Sequence, residues 1–371
     1  MGGALRVLGE YGRYLALLGE AEALARALDD RARLGWVLAR MAHVLRLMGD
    51  ADGAMAAGQQ AFELAAALGD SALQVQAAHH LGQAYYAIGD FSRAAELLQR
   101  NMEAADRESG RPSTDVHIES RAWLARTLSE IGTFAEGRGH GEEALRLAML
   151  AGRGATPIVA HGCLGYLYLA QGDLEHAIRV LEQGLALCRA SGYRGGFLQT
   201  IAAGLGYASA LQGRVAEGRA LLEEASRENI RMDTLGNHSH WVPWLSEVCR
   251  LAGRGDEARQ HARQALDLAR QQKARGNEAL ALHQLGVVQA HADPPDVAPA
   301  EAHYRQALAL AEELGMRPLV AHCHHGLGRL YGQTGRGAQA RAALTTAIDL
   351  YRAMDMTFWL SQAEAALAQV A

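Results

Sequence analysis

HGCLGYLYLAQGDLEHAIRVLEQGLALC, residues 161–188, decides how the rest of the chain is read. It holds two amphipathic patterns joined at Gly172-Asp173. Leu164, Gly165 and Tyr168 fall on one face of the first, and Ala177, Leu181 and Leu185 on one face of the second. Spacings of three and four are those by which a helix presents one apolar stripe. One such hairpin cannot bury its own stripe, so it requires copies of itself on either side.

The copies are present. Turn glycines recur at Gly9, Gly49, Gly89, Gly132, Gly172, Gly213, Gly253 and Gly335, and an equivalent turn is expected near Asp293. Most steps are 40 or 41 residues, and the longer ones coincide with insertions at Gly110-Arg111-Pro112-Ser113 and Pro294-Pro295. Seven residues before the turn a small residue returns, as at Gly82, Ala125, Gly165, Gly206, Ser246, Gly286 and Gly328. Five residues after it another does, as at Ala54, Ala94, Gly137, Ala177, Gly218, Ala258 and Ala340. A glycine inside a helix costs about 1 kcal/mol relative to alanine. Its return at one phase therefore predicts close helix–helix approach.

The whole pattern resembles the tetratricopeptide repeat. The matching residues are Leu81-Gly82-Tyr85-Gly89-Ala94, Leu164-Gly165-Tyr168-Gly172-Ala177 and Leu327-Gly328-Tyr331-Gly335-Ala340. A stride of about 40 in place of the usual 34 lengthens each helix by most of one turn. The resemblance implies an all-α, right-handed superhelical solenoid of about eight to nine antiparallel hairpins, here a single solenoid over residues 1–371. Residues 357–370 are expected to form a C-terminal capping helix, with Phe358, Trp359, Ala363, Ala366 and Leu367 on its apolar side. At the front, Gly9 is already a turn, so the array is expected to begin inside a repeat with an uncapped face. Stretches such as LLGEAEALARALDD (17–30), EIGTFAEG (130–137) and the last eighty residues are similar to the C-terminal repeat region of bacterial adenylate/guanylate cyclase and ATPase regulators. That region follows the catalytic domains of its family, so none of their catalytic residues has a counterpart here.

Composition agrees with an all-helical protein. Of 371 residues 49% are hydrophobic, 6% aromatic and 7 are proline. The net charge of −5 supplies no basic field for nucleic acid. Lys273 is the only lysine. Cys163, Cys188, Cys249 and Cys323 are scattered with no C-x-x-C pair, which points to reduced, packed thiols. No apolar run is long enough for a membrane span, and no secretory pattern opens the chain, so a cytoplasmic protein is expected.

Candidate chemistry is sparse. No phosphate loop, G-x-S-x-G or H-E-x-x-H motif occurs. His322 and His325 would share a helix face, but no further ligand at suitable spacing completes a zinc site. No catalytic residue, metal or cofactor is expected, and so no enzyme. In tetratricopeptide arrays the first helices line a concave groove, through residues thirteen, ten, six and three before each turn. The resemblance therefore implies a groove formed by His43, His79, Gln83, Tyr86, Arg126, Tyr166, Tyr207, His240, Glu247, His322, His325 and Arg329. Such a lining suits a peptide or a protein segment. The alternatives are a receptor for a small molecule and an oligomerisation scaffold that self-associates through the uncapped front. One unit, residues 228–251, is irregular. Its helix is expected to start near His240 or Trp241, with Trp241 and Trp244 filling the gap that a shortened helix leaves; the alternative is that the pair forms a hydrophobic hot spot.

Overall fold

The computed structural model describes residues 5, 9–107, 114–152 and 154–370. Among them are eighteen α-helices and no strand. Helix α1 (Tyr11–Ala27) comes first of these eighteen. Eight hairpins follow: α2/α3 (Arg31–Met48, Ala51–Leu68), α4/α5 (Ser71–Ile88, Phe91–Arg107), α6/α7 (Asp115–Ile131, Phe134–Ala151), α8/α9 (Thr156–Gln171, Leu174–Ser191), α10/α11 (Gly196–Leu211, Val215–Arg231), α12/α13 (His238–Leu251, Gly255–Gln271), α14/α15 (Arg275–Ala290, Val297–Glu313) and α16/α17 (Arg317–Gln333, Gly337–Ala353). Then comes α18 (Thr357–Ala368), packed on α17. The architecture is the all-α superhelical repeat fold that the periodicity predicts.

Local chemistry sets the joints. Gly49, Gly89, Gly132 and Gly172 all have φ between 80° and 90°, which closes the first helix of the hairpin in a left-handed cap. The aspartates that follow Gly49, Gly69 and Gly172 then cap the next helix: Asp50, Asp70 and Asp173 accept from the amides of Gly53, Leu73 and His176. Each such cap contributes about 1 kcal/mol. The turn expected near Asp293 lies between α14 and α15. The insertion at residues 110–113 lies outside the described residues.

The even-numbered helices form the inner layer. Helix α8 is buried nearly all round, as expected of an interior helix whose residues are apolar on every side. The partner layer buries far less: α13 covers only a stripe of Ala258, Ala262, Ala265 and Ala269. Small residues let the two layers touch. A Cβ on Gly165 would stand 2.5 Å from Leu181 Cγ, and one on Gly206 would stand 2.7 Å from the Gly218 carbonyl oxygen. The close approach predicted at this phase is therefore physical contact.

The superhelix returns onto itself. The Gly196 amide donates to Tyr11 Oη, 185 residues away, and Gln171 Nε2 donates to the carbonyl of Asp355, 184 residues away. At a stride of about 40 that is between four and five hairpins per superhelical turn. The turn glycines are where the passes meet: Gly49 lies on Gln272, Gly89 on Gly276, Gly132 on Pro318 and Gly172 on Trp359. Part of the expected bare front is also covered by this chain. Tyr11, Tyr14 and Leu18 of α1 join one apolar cluster with Val44, Leu47 and Met232.

Candidate functional site

The twelve expected groove residues fall into two environments. His43, His79, Gln83, Tyr86 and Arg126 stand on α2, α4 and α6 in the first pass of the superhelix. His79, Gln83 and Arg126 are only 1%, 3% and 1% exposed. The expectation of an open trough is corrected here, because these three side chains are buried. His79 and Gln83 instead form a buried polar chain. Gln83 Nε2 approaches His79 Nε2 at 2.8 Å, and His79 Nδ1 lies 2.9 Å from Ser120 Oγ. Since the amide nitrogen can only donate, His79 Nε2 is the acceptor and Nδ1 carries the proton. Burial, with His80 and Arg46 nearby, holds His79 well below its ordinary pKa, so it is neutral. Beside it Arg126 Nε donates to Tyr86 Oη at 3.0 Å, and Tyr86 Oη donates to Glu130 Oε1 at 2.6 Å. The Arg126 guanidinium carbon lies 4.1 Å from the centre of the Tyr166 ring.

The second pass keeps a cavity of ≈ 260 Å³. Tyr166, Tyr207, His240, Glu247, His322, His325 and Arg329 line it, so seven expected residues do converge on one space. Tyr207 and Trp244 stack there at 4.8 Å and 8°, with the His240 ring edge-on to Trp244 at 5.1 Å. The carboxylate of Glu247 takes two hydrogen bonds from Arg250, at 2.8 and 2.6 Å, and a third from Gln284 at 3.2 Å. On the far wall His322 Nδ1 lies 2.7 Å from Tyr351 Oη, and its ring meets Trp359 of α18 edge-on at 4.8 Å. Ser129, Glu130, Leu169 and Ala170 from the first pass line the opposite side. The cavity therefore exists only because the two passes face each other.

The imidazoles around it are neutral. Burial pushes His240 down to about 3 and His283 and His325 to about 4, and holds His322 well below its ordinary value. No group of three or more His, Cys, Asp or Glu side chains among the described residues is placed to hold a metal ion. All four cysteines are buried free thiols, and burial raises Cys163 to about 12. No helix among the described residues is long and apolar enough to cross a membrane.

Several lining residues escaped the sequence reading. His283 stands ten residues before Asp293, so the groove phase does reach it once the glycine-free turn is counted. Trp244 sits one position off that phase, and Tyr304 comes from the outer helix α15. Only packing brings those two inward. Helix α12 begins at His238, after a 3₁₀ turn at Leu235–Asn237. Of its two tryptophans Trp241 is 2% exposed and packed in the core, as expected, while Trp244 borders the cavity.

A tetratricopeptide repeat model matches residues 34–107 and 296–353, and a second one matches residues 160–192. Among solved structures, a Rap protein complexed with competence and sporulation factor is 12% identical at a TM-score of 0.71, with 95% of this chain and 96% of that one covered. The Rap conjugation gene regulator of plasmid pLS20, in complex with the Phr* peptide, is 15% identical at 0.62, covering 94% and 95%. A signal transduction ATPase with numerous domains from Pyrococcus horikoshii, which has a tetratricopeptide repeat sensor, is 11% identical at 0.51. That match spans 97% of this chain and 54% of the larger protein. No curated protein matches. Tetratricopeptide repeats are thus matched over residues 34–107, 160–192 and 296–353 of an all-α superhelical repeat fold.

Proposed function

We propose that this chain is a non-catalytic receptor that holds a short peptide, or an extended segment of a protein, in the cavity between its two superhelical passes. The observation that carries this reading is the lining itself. Stacked aromatics at Tyr207 and Trp244 stand beside the polar groups of Glu247, Gln284 and His322, the mixture that orients a ligand with apolar and amide groups. The two Rap structures of like fold are complexes, one of them with a peptide, which supports the same reading. A larger signalling ATPase of like fold with a repeat sensor supports a sensory role, and the resemblance of the sequence to bacterial cyclase and ATPase regulators suggests the kind of protein it would serve. Binding across both passes would alter how tightly they close, and an attached output domain would read that change.

The size of the cavity favours one rival. At ≈ 260 Å³ it sits near the lower end for small-molecule sites, so a metabolite would also fit. A library of short linear peptides, read by tryptophan fluorescence, separates the two, because Trp244 and Trp359 both border the space. A saturable shift with a peptide is expected, weakened about thirtyfold in Trp244→Ala, the equivalent of about 2 kcal/mol. Saturation by a metabolite panel and by no peptide would sink the peptide reading.

A further inference from the structure

Next to the ligand cavity, and sharing Glu130, His240 and Met316 with its wall, lies a much smaller one of ≈ 20 Å³ between the passes. Arg46, Tyr86, Arg126 and Glu130 line it from the first pass, and Asn237 and His240 from the second. Arg46 and Arg126 are 3% and 1% exposed, and neither makes an ion pair with a carboxylate among the described residues. Their guanidinium carbons stand 5.2 and 5.3 Å from the centre of the same Trp123 ring. Among the described residues Arg46 Nε and Arg126 Nη1 have no hydrogen-bond partner.

The charge around this space does not balance. Arg46, lowered to about 10 by burial and by Arg126, is still a cation at neutral pH. Arg126 is a cation as well. The one carboxylate on the wall, Glu130, already accepts from Tyr86. His240 is neutral. Two positive charges thus face one negative charge in a buried space, where an uncompensated ion is strongly disfavoured. The space is small, and its one uncompensated positive charge matches a single compact, singly charged anion.

We propose that the cavity between Arg46 and Arg126 binds one monatomic, monovalent anion of about the size of chloride. The ion takes the two orphaned N–H groups, restores neutrality and ties the first pass to Asn237 on the second. This site goes beyond the ligand reading and does not depend on it.

Thermal unfolding of the full chain tests the proposal at constant ionic strength, with sodium gluconate replaced stepwise by chloride, bromide or sulfate. A saturable rise of about 2 °C is expected for chloride and bromide and none for sulfate. Arg46→Met should abolish the rise. A crystal soaked in bromide should show an anomalous peak between Arg46 and Arg126, which keeps the test valid if a variant fails to fold. A flat midpoint, an equal rise in sulfate, a rise retained in Arg46→Met, or an ordered water in place of bromide would each overturn the site.

Discussion

At the scale of the residue, the histidines of the ligand cavity matter because they are buried uncharged. His240 carries its proton on Nδ1 if it donates to Asn277 Oδ1, 3.1 Å away, which leaves Nε2 free among aromatic rings. In the unfolded chain each imidazole takes up a proton near pH 6.5. In the folded chain His240 does so near 3, and His283 and His325 near 4. Between those values the unfolded state holds more protons, so stability is fully present above 6.5 and falls as the pH drops towards 3–4. Urea unfolding across that window should show a steep loss. Replacing His325 by glutamine should flatten the slope near pH 5 by about 1.4 kcal/mol per pH unit. An unchanged slope would mean that His325 is not buried as a neutral group.

At the scale of the element, the glycines of the hairpins divide into two kinds. A Cβ on Gly218 would stand 2.9 Å from Ala210 Cβ and closer still to the Gly206 carbonyl, so α10 and α11 touch backbone to backbone. Gly218→Ala should cost about 1–3 kcal/mol, because helices packed this closely must part. Gly19, in α1, meets nothing within 4 Å and lies on an exposed face. Gly19→Ala should stabilise by about 0.5–1 kcal/mol through helix propensity alone. Denaturant midpoints of the two variants should therefore move in opposite directions. If both move the same way, the glycine phase does not report helix contact.

At the scale of the whole molecule, closure of the superhelix sets which groove positions are open. The segment at Gly236 lies so close to the carbonyls of Arg46 and Leu47 that no side chain fits between them. Gly236→Leu should wedge the passes apart, raising the radius of gyration in X-ray scattering while helix content by circular dichroism stays unchanged. The same variant should weaken any ligand of the cavity, since Ser129 and Leu169 would withdraw from its wall. Scattering identical to that of the parent would show that the passes are not held by this contact. By comparison, the exposed Lys273–Asp52 ion pair between the passes, at 2.5 Å, contributes little.

What the sequence determined by itself is everything local and repeated. Hairpin length, the glycine joints and the inward face of each first helix follow from neighbours within about 40 residues, and each recurs many times along the chain. That is why the repeat phase alone places Tyr166, Tyr207, His240 and His322 on the inner face. The tertiary structure alone decided that the groove is half filled. A small rotation between neighbouring hairpins accumulates until the chain meets itself 185 residues on, and no spacing within a repeat encodes that sum. The meeting encloses Tyr86 and Arg126, brings Trp359 and Tyr304 to the cavity, and sets Arg46 beside Arg126 without a carboxylate ion-paired to either among the described residues.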